Sequence, residues 1–336
     1  MTTARIGLAL AVWLIPVSYA SGEPVRPPGV TSLTSRDVRF AEPSDHAVSM
    51  RRGPVTITVV DNEAVPPDHR AGYNGLASLT HEARKENLFV PAYAGLNLEH
   101  IHDGTGVSRE RMFEPRRAPM RLRQVDPHTV ELHQPPTPTW GLESCTRFAL
   151  LEEGAVEMTF ECIPRRPVFR QGYIGLFWAS YIDKPESKAI HFIGQPKEVP
   201  PDAQAKAGWI EALSPTHGVL STHVGLLDRR EFKPTPDFPP NMLIFSYSNY
   251  VYTEPYYYGV SHGMAYALIF RRADLIRFSQ SPTGGGQDNP AWDFQWFVAQ
   301  PQVDKAYGFV MRMVYTPFKG RDLTHDLCRH HAAQIE

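Results

Sequence analysis

Short segments with strand character, separated by turn signals, recur along most of this 336-residue chain. Residues 55–60 read Val-Thr-Ile-Thr-Val-Val, and residues 307–315 place Tyr, Phe and Met at every odd position. Such alternation buries one face of a strand. The 31 Pro and 24 Gly are scattered between these segments, which suits many short strands joined by turns. The sequence therefore predicts an all-β fold, a large antiparallel β-sandwich, followed by a short helix over 322–334 that is capped at Asp322 or Thr324.

The N-terminus has the composition of a secretory signal peptide. Arg5 precedes an apolar run, and small residues end at Ala20, where we expect cleavage. Residues 1–20 are thus predicted to be removed, 21–50 to form a polar, extended leader, and 51–336 to form a single β-sandwich domain. The expected location is secreted or periplasmic. No later stretch approaches ~20 apolar residues, so membrane insertion is not expected.

The charge balance gives no support for nucleic acid or anionic lipid as a partner. Lys and Arg total 34 against 36 Asp and Glu. A protein without net positive charge lacks the general attraction to nucleic acid. The basic pairs Arg116-Arg117 and Arg271-Arg272 are expected to be solvated.

An aromatic-rich stretch, residues 245–297, is the most unusual part of the chain. Seven aromatic residues fall between Phe245 and Tyr258, and His262 and Asp293 follow. Tyrosine has a flat apolar face and a polar tip, which suits stacking on sugar rings and binding their hydroxyls. This composition favours an exposed sugar-binding wall. A two-layer core that buries the tyrosines is the alternative.

A second stretch, residues 73–104, concentrates histidines and charged groups. If His100 and His102 belong to one strand, their imidazoles share a face, because side chains alternate. That spacing suits a metal site, an acid–base pair or two hydrogen-bonded histidines. A cupin-type metal site would place a Glu four or five residues beyond the second His, where Gly106 and Val107 stand. We therefore predict no metal and no cofactor.

Two of the three cysteines flank a predicted hairpin turn at Glu153-Gly154. With a two-residue loop, Cys145 lies directly opposite Cys162 in a non-hydrogen-bonded pair, within disulfide range. The sequence predicts a Cys145–Cys162 disulfide and a free Cys328. Two buried free thiols are the alternative.

In its size, its meander of polar-lined strands and its isolated histidines and carboxylates on aromatic-rich strands, the chain resembles the galactose-mutarotase-like supersandwich proteins. The resemblance implies activity on sugars, since family members are aldose epimerases and domains of glycoside hydrolases and polysaccharide lyases. Such epimerases pair a His acid with a Glu base, which His262 or His100 with Glu99 or Glu254 could supply. Residues 94–104 and 289–297 are also similar to stretches of uncharacterised secreted bacterial proteins, which adds no activity.

The predicted function is sugar processing, by hydrolysis, elimination or epimerisation, on an oligosaccharide or polysaccharide. A lyase would need Arg84 or Arg277 to neutralise a uronate. Non-catalytic glycan binding and a purely structural sandwich are the alternatives. The two unusual stretches are expected to line one cleft. The candidate catalytic residues are His262, His100, Glu99 and Asp293. The candidate substrate-binding residues are Tyr257, Tyr258, Trp292, Arg84, His81, His102 and Gln295.

Overall fold

A computed structural model of the protein describes residues 30–198, 206–240 and 242–336. The predicted signal peptide and the first part of the leader lie outside these ranges. The described residues contain 18 strands and two α-helices, which confirms the predicted all-β class. The strands are β1 (Ala47–Arg52), β2 (Val55–Val60), β3 (Gly75–His81), β4 (Asn97–His102), β5 (Arg121–Asp126), β6 (Thr129–Gln134), β7 (Leu142–Leu150), β8 (Val156–Pro164), β9 (Tyr173–Ala179), β10 (Ile190–Pro196), β11 (Gly208–Ala212), β12 (Thr222–Gly225), β13 (Tyr247–Tyr252), β14 (Tyr256–Ser261), β15 (Met264–Phe270), β16 (Arg277–Ser281), β17 (Ala291–Ala299) and β18 (Tyr307–Pro317). The helices are α1 (Arg109–Met112) and α2 (Arg321–Ile335).

One large sheet contains all strands from β4 onward, in the order β4-β9-β17-β16-β12-β13-β10-β14-β15-β18-β8-β7-β6-β5, with β11 paired to β10. The remaining strands form a small sheet, β1-β2-β3. Neighbouring strands run antiparallel except β12 and β13, which are parallel. None of the helices in the described ranges is both long and apolar enough to cross a membrane.

The large sheet folds over, so that its two halves pack face to face. A first layer (β4, β9, β17, β16 and β12) meets a second layer (β14, β15, β18, β8 and β7). The ring centroids of Trp178 in β9 and Phe160 in β8 are 4.9 Å apart, and those of Phe294 in β17 and Phe309 in β18 are 5.9 Å apart. The main hydrophobic core therefore lies between the layers.

The outer face of each layer is covered by different elements. On the first layer, Phe113 after α1 and Phe232 and Phe238 from the loop before β13 join a second apolar cluster. On the second layer, α2 packs through Cys328 and Ile335. The predicted C-terminal helix is confirmed, but its cap is Gly320. Thr324 lies inside the helix, where its hydroxyl donates to the Gly320 carbonyl at 2.9 Å.

The tyrosine-rich stretch is distributed over several surfaces, because neighbouring strand residues point in opposite directions. Tyr257 lies between the layers and is fully buried, with its hydroxyl donating to the Asp293 carbonyl at 2.9 Å. Tyr256 and Tyr258 point the other way and pack beneath α2. Trp292 is also in the core. The prediction that Tyr257, Tyr258 and Trp292 form an exposed wall is therefore wrong. All three side chains are buried, as the alternative of a two-layer core predicts.

The β7–β8 hairpin has a register that differs by one residue from the prediction. Its loop holds three residues, 152–154, with Gly154 at φ 84°, a common hairpin geometry. Cys145 therefore pairs with Glu161, and Ser144 pairs with Cys162. Cys145 Sγ lies 3.5 Å from Glu131 on one face, while Cys162 lies in the main core on the other. All three cysteines are free and buried, which corrects the predicted disulfide.

The part of the predicted leader that the structure describes is anchored on the second layer. The Glu161 carboxylate accepts hydrogen bonds from the amides of Val30 and Thr31, each at 3.2 Å, and from the Thr34 hydroxyl at 2.6 Å. The Glu131 carboxylate accepts the Ser32 amide at 3.1 Å. The strand β1 begins at Ala47, before the predicted domain boundary.

The cysteine geometry predicts a specific thiol count. Denatured, unreduced protein should show three reactive thiols. The native protein should react slowly, because burial raises the pKa of each thiol and thiolates are the reactive species. Titration with a chromogenic thiol reagent, with a fully reduced sample as control, measures both. A single reactive thiol after denaturation would instead show that Cys145 and Cys162 form a disulfide.

Candidate active site

A β-bulge in β4 brings two candidate catalytic residues onto the same face. Leu98 pairs with Trp178 and His100 pairs with Phe177, so Glu99 is an extra residue in the ladder. Leu98 remains in the main core, whereas Glu99 and His100 both reach the outer face of the first layer. Their side chains meet, with Glu99 Oε2 and His100 Nε2 3.2 Å apart. Bulges of this kind re-aim side chains and are common beside active sites.

The Glu99 carboxylate is buried but surrounded by groups that stabilise its charge. The Tyr181 hydroxyl donates to Glu99 Oε1, and Arg116 Nη1 lies 3.3 Å from the same oxygen. Burial by itself would raise the pKa of Glu99, but His100, Arg116 and Tyr181 together hold it well below its ordinary value. Glu99 is therefore ionised at neutral pH and is available as a hydrogen-bond acceptor.

Three tyrosines stand beside this carboxylate. Tyr73 and Tyr93 are half-buried, with ring centroids 4.6 Å apart, and the Tyr93 ring lies 5.1 Å from that of Tyr181. The Arg116 guanidinium stacks 3.8 Å above the Tyr73 ring. Burial, followed by the Glu99 charge, raises the pKa of Tyr181 well above its ordinary value. The Tyr181 hydroxyl therefore remains a proton donor, and the two outer rings form an aromatic platform.

Several polar atoms of this cluster are buried without a hydrogen-bond partner among the described residues: both ring nitrogens of His100 and Nη2 of Arg116. The 3.2 Å contact between His100 and Glu99 is thus an ion-pair distance that lacks hydrogen-bond alignment. Buried polar groups are normally hydrogen-bonded. These atoms are the ones that a bound polar molecule would satisfy.

Asp293 and Gln295 of β17 share this outer face. Gln295 and His100 both pair with Phe177 of β9, so their side chains point in the same direction. Asp293 is buried and accepts the Ser180 amide at 3.0 Å. Burial raises the pKa of Asp293 well above its ordinary value, and the nearby Glu99 charge adds to this effect. The hydrogen bond from the Ser180 amide acts in the opposite direction. A carboxyl with a raised pKa near an ionised carboxylate is an arrangement typical of acid–base sites.

His102 shares the face of His100, as the alternation of side chains predicts. Its ring lies in an aromatic cage, 5.8 Å from Phe238, Phe245 and Phe297. Burial, and then the charge of His100, lower the pKa of His102 to about 3. Gln295 is equally enclosed, with Nε2 donating to the hydroxyls of Thr222 and Ser279. Both candidates for substrate contact are thus packed within the sheet.

His262 lies elsewhere, at the turn between β14 and β15 in the second layer. It has φ 51°, and its Nδ1 lies 3.2 Å from Glu186 Oε1. His81 and Arg84 close a tight turn after β3 through reciprocal backbone hydrogen bonds of 2.9 Å. Glu99, His100 and His102 of β4 therefore lie on the same face as Asp293 and Gln295 of β17. His262 lies in the second layer and does not belong to that face, so the common cleft that was expected to include it stays a prediction for the other residues only.

The sequence missed two residues of the cluster, Arg116 and Tyr181. Arg116 was expected to be solvated, but its side chain is only 14% exposed and donates from Nε to the Gly72 carbonyl at 2.7 Å. Arg271, also expected to be solvated, is buried against Asp274 at 2.8 Å. A buried Glu99 requires a cationic partner, but nothing in the sequence identifies which arginine supplies it. Among the described residues, no group of three or more His, Cys, Asp or Glu side chains could hold a metal ion.

No protein-family model matches the chain, and no curated protein matches it. Among solved structures it is similar to a candidate aldose 1-epimerase from Escherichia coli K12, with TM-score 0.45 and 11% identity over 81% of this chain and 99% of that one. An aldose epimerase homologue from C. elegans gives TM-score 0.42 and 8% identity over 81% and 100%. Heparan sulfate lyase HepC from Pedobacter heparinus gives 0.40 and 9% over 83% and 38%. Each of these similarities concerns the fold alone.

The caged His102 predicts a pH dependence of stability. Its pKa is about 3 in the folded protein and near 6.5 when unfolded, so the unfolded chain takes up the proton first and stability falls as the pH drops from about 6.5 toward 3. Between pH 6.5 and 4.5 the loss is about 2 kcal/mol. His102→Phe should remove this contribution, as measured by urea unfolding at both pH values. His330→Phe, on the exposed side of α2, is the control. An unchanged pH dependence in His102→Phe would refute the assignment.

Proposed function

We propose that this chain is a secreted carbohydrate-active enzyme in which Glu99 and His100 form the acid–base pair. The observation that carries the proposal is the bulge in β4, which brings a carboxylate and an imidazole to 3.2 Å on one face. Beside them stand the half-buried rings of Tyr73 and Tyr93. Stacking aligns a sugar ring, and a proton donor and acceptor within reach then act on it.

Each member of the cluster has a distinct role in the proposed reaction. Glu99, held ionised by Arg116 and Tyr181, accepts a proton from the substrate. His100 donates a proton to the substrate. Its two ring nitrogens have no hydrogen-bond partner among the described residues and are available for that purpose. Arg116 Nη2 binds a substrate oxygen. This chemistry requires neither metal nor cofactor.

The composition of the pair favours proton transfer over hydrolysis. Glycoside hydrolases usually place two carboxyl groups on either side of the scissile bond. Here the group in contact with Glu99 is an imidazole, whereas the second carboxyl, Asp293, is bound to the Ser180 amide. Epimerisation of a sugar or elimination from a uronate is therefore the preferred reaction class. The proposed substrate is an oligosaccharide or polysaccharide outside the cytoplasm, consistent with the predicted signal peptide.

The proposal is tested by a screen with matched variants. Purified protein is incubated with sugars and polysaccharides, and mutarotation, unsaturated products and released reducing ends are measured in parallel. Glu99→Gln and His100→Ala should each lower kcat by roughly 10²–10⁴-fold, the usual contribution of general acid–base catalysis. Glu99→Gln retains the shape of the residue and an acceptor for the Tyr181 hydroxyl, but it leaves the buried Arg116 without its counter-ion, so its stability is measured beside its turnover.

His330→Ala, far from this face on α2, serves as the control and should retain full turnover. Thermal unfolding of every variant separates loss of catalysis from loss of fold. Full activity in Glu99→Gln and His100→Ala would refute the proposed pair. If His262→Ala were inactive at the same time, the alternative acid suggested by the sequence would replace it.

A further inference from the structure

A second feature of the first layer lies on the same outer face, beyond β16. It is a cavity of about 560 Å³ between β12, β13, β16 and the loop at 226–233. Arg277 and Tyr247 form part of its wall, and Lys197 and Arg229 lie among its lining residues. A volume of this size accommodates a small organic ligand such as a sugar unit. None of the residues assigned to the acid–base cluster lines this cavity.

The lining carries a strong excess of positive charge. Five of its side chains are cationic, and two are carboxylates. The chain as a whole is nearly neutral, with a formal charge of −2, so this concentration is local. Charges of one sign in a low-dielectric cleft focus the potential and attract a ligand of the opposite sign.

One of the two carboxylates, Asp228, is already committed to the protein. Its oxygens accept hydrogen bonds from Arg230, with Nε at 2.8 Å and Nη2 at 3.1 Å, and from Nε of Arg277 at 3.2 Å. Burial would raise the pKa of Asp228, but the two guanidinium groups lower it below its ordinary value. Asp228 thus neutralises one of two arginines, and the pair retains a positive charge.

Arg277 is held rigidly at the base of the cavity. Its side chain is 2% exposed, and its remaining nitrogens donate to the Tyr247 hydroxyl at 3.0 Å and to the Arg230 carbonyl at 3.1 Å. The guanidinium lies 5.1 Å from the Phe232 ring and 4.7 Å from the Phe297 ring. A guanidinium fixed in this way offers a preorganised charge with donors in a defined plane.

The cavity also contains a surface suited to a sugar ring. The half-buried Tyr247 ring lines it, with Lys197 Nζ 5.8 Å from the ring centroid. An aromatic face flanked by cations can stack on a pyranose while the cations bind an acidic substituent. A small inorganic anion would use the cations alone and leave this aromatic surface unoccupied.

We infer that this cavity binds an acidic sugar unit, a uronate or a sulfated monosaccharide, through Arg277, Lys197 and the ring of Tyr247. The inference deepens the proposed function, on which it rests, because it assigns the substrate to the acidic polysaccharides. Arg277 lies on β16, three strands from Glu99 on β4, or about 14 Å along the sheet. The cavity therefore holds a sugar unit other than the reacting one.

Equilibrium titration of the full-length protein tests this inference independently of turnover. The probes are glucuronic acid, glucose 6-sulfate, glucose and inorganic sulfate. Both acidic sugars should bind, and the affinity for glucose and for sulfate should be at least about tenfold lower. Lys197→Glu and Arg229→Glu, on the rim, should weaken the acidic sugars about tenfold or more, and added salt should do so in the wild type. The control Lys85→Glu reverses an exposed charge on the side of the small sheet and should leave the affinity for the acidic sugars unchanged.

Several results would overturn the inference: equal affinity for glucose and the acidic sugars, sulfate binding as tightly as the sugars, or unchanged affinity in both rim variants. Glu99→Gln separates this site from the proposed reaction, since it should abolish turnover and leave glucuronic acid binding intact. Turnover of neutral and acidic substrates at equal rates, with no binding at the cavity, would refute the acidic subsite and leave the acid–base pair in place.

Discussion

The burial of one negative charge, on Glu99, determines how the outer face of the first layer is organised. A carboxylate removed from water is costly unless it is paired and hydrogen-bonded. Arg116 and the Tyr181 hydroxyl provide those partners, and each comes from a different part of the chain. The segment Glu114–Arg116, which follows α1, must therefore dock on β4, and Tyr181, just beyond the end of β9, must lie alongside it. The tyrosine platform follows from the same docking, because Arg116 stacks on Tyr73.

The sequence predicts the fold class better than it predicts the site, for a physical reason. Alternation along a strand is local, so the all-β class and the common face of His100 and His102 follow from it. A bulge breaks the alternation at one residue, and nothing in the composition around Glu99 marks it. The hairpin at 152–154 shows the same sensitivity, since a single additional loop residue separates Cys145 from Cys162. Gly154 at the third loop position is the signal that would have fixed that register.

The tyrosines illustrate a different limit. Composition suggests a sugar-binding wall, but the strand alternation that predicts the fold also sends Tyr257 and Tyr258 to opposite sides. The half-buried rings of Tyr73, Tyr93 and Tyr247 come from three separate places in the chain. Tyr73 and Tyr93 lie beside Glu99, whose negative charge is compensated by Arg116. Tyr247 lines a cavity in which the cationic side chains outnumber the acidic ones. The same face thus carries two electrostatically distinct environments.

The anchoring of the first described residues has a consequence for the order in which the chain folds. Thr31 binds the carboxylate of Glu161, a contact that spans 130 residues of sequence. Chain synthesis presents Thr31 long before Glu161, so the contact between them cannot form until β8 has emerged. Contacts of such sequence separation are slow to form because the intervening loop must be closed first. The turn at 30–34 is therefore a late-docking element, and Glu161 lacks these hydrogen-bond donors until it arrives.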